Sequence, residues 1–165
     1  MNINGFSVSH KEGKARTGLL KTTRGDVETP VFMPVGTAAT VKAITPETLE
    51  SIGSQILLCN TYHLMIRPGE RVVNHLGGLN EFMNWQGPIL TDSGGFQVMS
   101  LSKLRKLNEN GVTFRSHIDG KEFLITPEGS IRIQETLKST IIMAFDECTP
   151  FPVEKKIAEI SMKLS

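Results

Sequence analysis

The run Thr91-Asp92-Ser93-Gly94-Gly95-Phe96-Gln97 brings a carboxylate, two glycines and an aromatic ring into one short stretch. Asp92 follows the apolar run Pro88-Ile89-Leu90, so it stands at the expected end of a buried strand. Gly94 and Gly95 let the backbone approach a ligand closely and offer N–H groups. Phe96 offers a face on which a planar base can stack. The same pattern also fits a glycine-rich turn in which Asp92 caps a helix. A second run, Ala144-Phe145-Asp146-Glu147-Cys148, holds two adjacent acids. On an extended strand they point to opposite sides, so one can face a pocket while the other is solvated. Caps or surface charges are the plainer alternative for both.

Two carboxylates at the ends of successive strands suit a guanine-like ligand. Such a base presents N1–H and an amino group side by side, and an ionised carboxylate, acceptor-only, can take both. The second carboxylate can move protons as bases leave and arrive. The pair would also serve a glycosidase, which leaves the ring and the double glycine unexplained. Cys59-Asn60-Thr61-Tyr62-His63-Leu64 ends another apolar run. His63 there is either a base or, more in keeping with strand-end histidines, a structural hydrogen-bonding residue. His10, His75 and His117 fall in expected surface segments without ligand spacing. Cys59 reads as a small buried residue, and Cys148 as either pocket lining or packing. Trp85 reads as packing at a turn. Lys103, Arg105 and Lys106 read as a solvated basic face, with phosphate contact as the alternative. The two cysteines form no CxxC pair, so neither a disulfide scaffold nor a metal site is expected in this chain.

The elements that must place these residues follow from periodicity. Four short apolar runs end in small or polar residues: Val31-Phe32-Met33-Pro34-Val35, Ile56-Leu57-Leu58, Pro88-Ile89-Leu90 and Ile141-Ile142-Met143-Ala144-Phe145. Such runs are what parallel strands buried on both faces look like, and α/β folds bind ligands at their C-terminal ends. Pro34 weakens the first strand or marks a bulge. Thr45-Pro46-Glu47 and Thr126-Pro127-Glu128 each open a helix that leads into one of these strands. Ahead of them, Phe6 to His10, a turn over 11–14, Ala15 to Thr23 and a second turn at Arg24-Gly25-Asp26 read as antiparallel strands. Val112 to Ile125 reads as an inserted hairpin turning at Asp119-Gly120. A last helix is expected from Pro152, with Ile157, Ile160 and Leu164 on one face. No closing glycine follows it, which reads as a cut through a fold. The expected organisation is α/β: antiparallel strands over 1–28, then a partial (β/α) barrel over 29–165 with its hairpin near 112–125.

With 165 residues, 39% hydrophobic and 21% charged, the chain is long enough for one ordinary core and is not of disordered composition. A net charge of +1 gives no basic excess for gripping nucleic acid broadly, so any such surface is local or lies elsewhere. No signal-like or membrane-length apolar run is present, and a cytoplasmic protein without membrane contact is expected.

Four ordered motifs, spanning 29–37, Asn60-Thr61-Tyr62-His63-Leu64, 91–97 and Phe145-Asp146-Glu147-Cys148, together resemble the tRNA-guanine transglycosylases, the queuine tRNA-ribosyltransferase family, of bacterial type. The resemblance covers nearly all of the chain. It implies a (β/α)8 TIM barrel behind a small antiparallel sheet, of which this chain holds the first half. It implies an enzyme that replaces guanine at the tRNA wobble position with the queuosine precursor preQ1, through a covalent intermediate, on a nucleotide turned out of its stack. Asp92 is then the proton acceptor and a base contact. Ser93, Gly94, Gly95 and Phe96 complete the base-binding loop, Asp146 reads the donor edge, and Cys148 is similar to a bacterial-type pocket cysteine. The aspartate that attacks the ribose, and the ligands of the one zinc ion bound by family members, have no counterpart in these residues. The implied partners are tRNA and a purine, guanine or preQ1, with a homodimer or a complementary C-terminal fragment as further partners. The alternative reading is an inactive truncated or split fragment that acts only through such a complement.

Overall fold

A computed structural model of the chain describes residues 5–101, 105–108 and 110–165. Its first element is an antiparallel sheet of β1 (Phe6–Glu12), β2 (Ala15–Thr22) and β3 (Gly25–Thr29), in the order β1-β2-β3. The first turn is tighter than expected. Lys11 and Glu12 still pair with Arg16 and Ala15, so only Gly13 and Lys14 reverse the chain, and Gly13 takes the positive φ that the reversal needs.

A parallel sheet follows, made of β4 (Val35–Gly36), β5 (Leu57–Cys59) and β6 (Ile89–Thr91), in the order β4-β5-β6. Leu57, Leu58 and Cys59 sit opposite Ile89, Leu90 and Thr91. Two expectations are corrected. The first run shrinks to two residues, because Pro30 and Pro34 supply no N–H to a ladder. The fourth becomes a single parallel bridge, Ile141 to Leu90, and no strand continues through Phe145. Its physical reason is a side chain that takes over the next rung, described below.

Helix α1 (Pro46–Ser51) begins where expected: the Thr45 hydroxyl accepts from the Thr48 N–H and proline occupies the first turn. Between β5 and β6 the chain makes three short helices, α2 (Thr61–Ile66), α3 (Glu70–His75) and α4 (Leu79–Met83). Pro68 forces Arg67 into extended geometry and ends α2. The Gly77-Gly78 pair, at φ 101° and 98°, separates α3 from α4. Helix α5 (Gly95–Leu101) leads into a second antiparallel sheet, β7 (Arg105–Asn108), β8 (Gly111–Arg115) and β9 (Glu122–Ile125). The expected hairpin is therefore two strands of three. Its turn is a wider loop over 116–121 in place of an Asp119-Gly120 dipeptide: Ser116 N–H donates to Lys121 C=O, and Gly120 N–H to Ser116 C=O. Lys103 lies outside the described residues, while Arg105 and Lys106 fall in β7.

Helix α6 (Pro127–Thr136) is capped by Thr126, whose hydroxyl accepts from the Gly129 N–H at 2.9 Å. Helix α7 (Lys155–Leu164) begins three residues after Pro152. Its Ile157 and Ile160 are exposed, whereas Ser161 is buried, so the apolar stripe read from the sequence does not face these elements. Among the described residues no helix is long and apolar enough to cross a membrane.

Apolar burial falls into two clusters instead of the single core expected. One surrounds the parallel sheet with Leu49, Leu57, Leu64, Val73, Leu79, Trp85, Ile89 and Leu137. The other joins Tyr62 of α2 and Val98 of α5 to Val112, Phe114 and Ile125 of the second antiparallel sheet. Leu57 is 1% exposed and Ile52 65% exposed. Leu57→Ala is expected to lower unfolding free energy by about 3 kcal/mol, and Ile52→Ala by less than about 0.5 kcal/mol, as read by urea unfolding of each variant.

Candidate active site

Asp92 directly follows β6, where the parallel sheet ends. Its carboxylate is half-buried and takes three donors. Thr61 N–H reaches Oδ1 at 2.8 Å, Gly94 N–H reaches Oδ1 at 3.2 Å, and Asn60 Nδ2 reaches Oδ2 at 2.5 Å. Thr61 Oγ1 also donates to the Asp92 carbonyl. Asn60 precedes α2 without capping it through its own side chain. The carboxylate from the neighbouring strand end meets that orphan Thr61 N–H instead, a favourable place for negative charge. The cap read from the sequence thus exists, across strands, on α2.

The two glycines have different causes. Gly94 has φ 83°, which a residue with a side chain rarely adopts. At Gly95 a Cβ would lie 2.5 Å from the Asp146 carbonyl oxygen and 3.4 Å from its Oδ1. The close approach that the structure shows at Gly95 is to Asp146, while Gly94 lies on a cavity wall. The Gly94 N–H is spent on Asp92 and the Gly95 N–H on Ser93 Oγ. Ser93 Oγ in turn donates to Asp146 Oδ1 at 2.8 Å. A single buried hydroxyl thus ties the first motif to the second, and Asp146, not Glu147, turns toward it.

Asp92, Ser93, Gly94, Phe96, Gln97, Met143, Ala144 and Asp146 line one cavity of about 400 Å³. Phe96 is 60% exposed, so its ring has a free face. Gln97 Oε1 is a buried acceptor without a partner, a cost that a ligand donor would relieve. Sequence reasoning passed over Gln97 because it lies one residue past the aromatic. Cys148 is half-buried and does not belong to the cavity wall. A larger groove of about 620 Å³, between Pro30 and Gln55, carries no ionisable group and so offers no acid–base chemistry.

Beside Asp92, α2 carries an imidazole cluster that the sequence did not reveal. Tyr62 Oη and His117 Nδ1 are 2.8 Å apart with their rings stacked, and the His63 ring meets the His117 ring edge-on. His117 is exposed, as expected of a surface segment, and its contacts tie the 116–121 loop to α2. Burial and then the neighbouring His117 push His63 below the usual imidazole range, with Asp92 pulling the other way. Burial pushes the Tyr62 phenol up. Cys59, packed on the Met83 sulfur, is pushed up to about 12 by burial and by the Asp92 charge, so it stays a thiol. Trp85 is buried and donates to Pro88 C=O. Among the described residues no three His, Cys, Asp or Glu side chains come together in a group that could hold a metal ion.

Residues 11–165 match the family model described as queuine tRNA-ribosyltransferase. The chain is 60% identical over 160 residues to a queuine tRNA-ribosyltransferase of Jannaschia sp. (strain CCS1), covering 97% of this chain and 43% of that protein. It is 59% identical to that of Zymomonas mobilis subsp. mobilis (97% and 42%) and 58% identical to that of Rickettsia akari (97% and 44%). The chain spans less than half the length of these relatives.

Gly95→Ala is expected to cost about 1–3 kcal/mol by overpacking the Asp146 backbone, read as a lowered urea midpoint; an unchanged midpoint would show that the contact yields freely. For His63 the folded value lies below the ordinary 6.5. The unfolded chain therefore takes the proton first. Stability is complete above that ordinary value and declines as pH falls through the lowered one. His63→Asn should flatten this acid-side loss when unfolding is followed from neutral to mildly acidic pH.

Proposed function

The chain belongs to the queuine tRNA-ribosyltransferase family, and on that footing we propose that its cavity holds the purine in tRNA base exchange. The supporting observation is that Asp92, Asp146 and the open face of Phe96 line the same cavity. In this reading the base lies against Phe96. Asp146 accepts from N1–H and the amino group, and Ser93 holds that carboxylate in place. Gln97 Oε1 takes a remaining donor. Asp92 receives the proton of the incoming base, for which its carboxylate must leave at least one of its three internal donors. The outcome is replacement of guanine at the wobble position by preQ1, a step of queuosine biosynthesis, with tRNA as the partner.

Exchange of this kind proceeds by two displacements. A carboxylate bonds to ribose C1′ as the C1′–N9 bond breaks, and guanine leaves with that electron pair and takes up a proton from solvent. The incoming base then gives its proton to Asp92 and bonds to C1′ as the ester bond breaks. None of the residues at this cavity is assigned the attacking role; the resemblance places it on a later strand. β4, β5, β6 and the bridge at Ile141 are read as four consecutive strands of the (β/α)8 barrel, and residues 1–28 as the separate antiparallel unit before it.

Guanine and hypoxanthine differ by the amino group that Asp146 would bind. Calorimetric titration is expected to show guanine bound more tightly than hypoxanthine. Asp146→Asn should weaken guanine by about tenfold or more and narrow that preference. Equal guanine affinity in the variant and the parent would overturn the assignment of Asp146.

A further inference from the structure

Gln134 lies on the inward face of α6, with Ser130 and Leu137, and is fully buried. A primary amide in such a place needs all its hydrogen bonds, two at the oxygen and two at the nitrogen. Here it has them. Oε1 accepts from Met143 N–H at 2.9 Å and lies 3.0 Å from the Thr91 hydroxyl. Nε2 donates to Met143 C=O at 2.9 Å and lies 3.2 Å from Ser130 Oγ. Ser130 Oγ donates onward to Ser93 C=O at 2.7 Å.

These contacts explain why the fourth strand stops. Ile141 N–H donates to Ile89 C=O, and Thr91 N–H to Ile141 C=O. The next rung of a parallel ladder would carry Met143 N–H to Thr91 C=O. Gln134 takes both peptide groups of Met143 instead, as a neighbouring strand would, and turns 143–146 away from β6. Asp92 sits between two residues that this network holds, Thr91 and Ser93. Asp146 follows Met143 by three residues and receives the Ser93 hydroxyl. The circuit from Thr91 through Gln134, Ser130 and Ser93 to Asp146 therefore closes on itself.

We propose that Gln134 is the positioning residue of the site: its buried amide sets the separation and orientation of the Asp92 and Asp146 segments and thereby the affinity for the base. It touches no base itself. The proposal rests on the base-binding reading above, and the experiment separates the two. Guanine is titrated calorimetrically into the full chain and its Gln134→Met and Gln134→Glu variants at about pH 8 and about pH 5.5, with thermal unfolding of each. Gln134→Met keeps the side-chain length and removes every hydrogen bond. It is expected to lose guanine affinity by about tenfold or more while still unfolding cooperatively. Gln134→Glu is expected to bind weakly at the higher pH. It should recover, relative to the parent, at the lower one, because a protonated carboxyl again offers a donor and an acceptor to Met143. Thermal unfolding at each pH shows whether Gln134→Glu is folded where it binds weakly; weak binding by a folded variant at the higher pH, regained at the lower one, is what a role in folding alone would not produce. Should Gln134→Met fail to fold, the pH profile of Gln134→Glu decides. Binding by Gln134→Met within about twofold of the parent, or a Gln134→Glu profile parallel to the parent's, overturns the proposal and leaves the base-binding reading standing. Absence of guanine binding by the parent overturns both.

Discussion

A buried amide cannot be half satisfied. Each unmet hydrogen bond at Gln134 would cost about 1–3 kcal/mol in an interior where water cannot replace it, so its partners have little freedom to move separately. Those partners belong to the end of β6, to the segment after Ile141 and, through Ser130, to the loop after Asp92. The stretch 91–93, helix α6 and the segment after Ile141 are thereby held in one arrangement. The apolar cluster around Leu57, Ile89 and Leu137 supports this arrangement from behind, because Leu137 follows Gln134 by one helical turn.

This constraint gives the cavity its chemistry. The acids follow strand and bridge positions whose backbone is already fixed, so their mutual placement is settled before any ligand arrives. Ser93 is the last link, reaching Asp146 from the residue after Asp92. Gly95 then makes the approach sterically allowed, since any side chain there would meet the Asp146 carbonyl. Opposite, Asn60 and the Thr61 N–H hold Asp92 on the α2 side. Asp92 thus stands between a helix start and a cavity, directly after the end of β6.

Local chemistry was legible in the sequence wherever one segment contained its own cause. The caps at Thr45 and Thr126, the strand at 57–59, the strand end at Asp92 and the cysteine buried at Cys59 all follow from neighbours a few residues away. What escaped depended on partners distant in the chain. Gln134 carried no signal of its own in the sequence, because nothing near it announces Met143 or Thr91. His117 is the exposed loop residue it looked like, but its contact with Tyr62, 55 positions away, was not legible. The apolar run after Ile141 looked like a full strand, and only a side chain from α6 curtails it. The stripe of Ile157 and Ile160 was real in period yet faces outward, because periodicity reports a face and not what covers it.

The central claim is that one preorganised cavity places Asp146 on the donor edge of a purine lying against Phe96. The most direct test is a crystal structure of the chain soaked with guanine. The account predicts the base in this cavity, its N1–H and amino group within hydrogen-bond distance of the Asp146 carboxylate, Ser93 Oγ still on that carboxylate, and Met143 still paired with Gln134. Guanine bound elsewhere, or bound here with its donor edge turned away from Asp146, would contradict it.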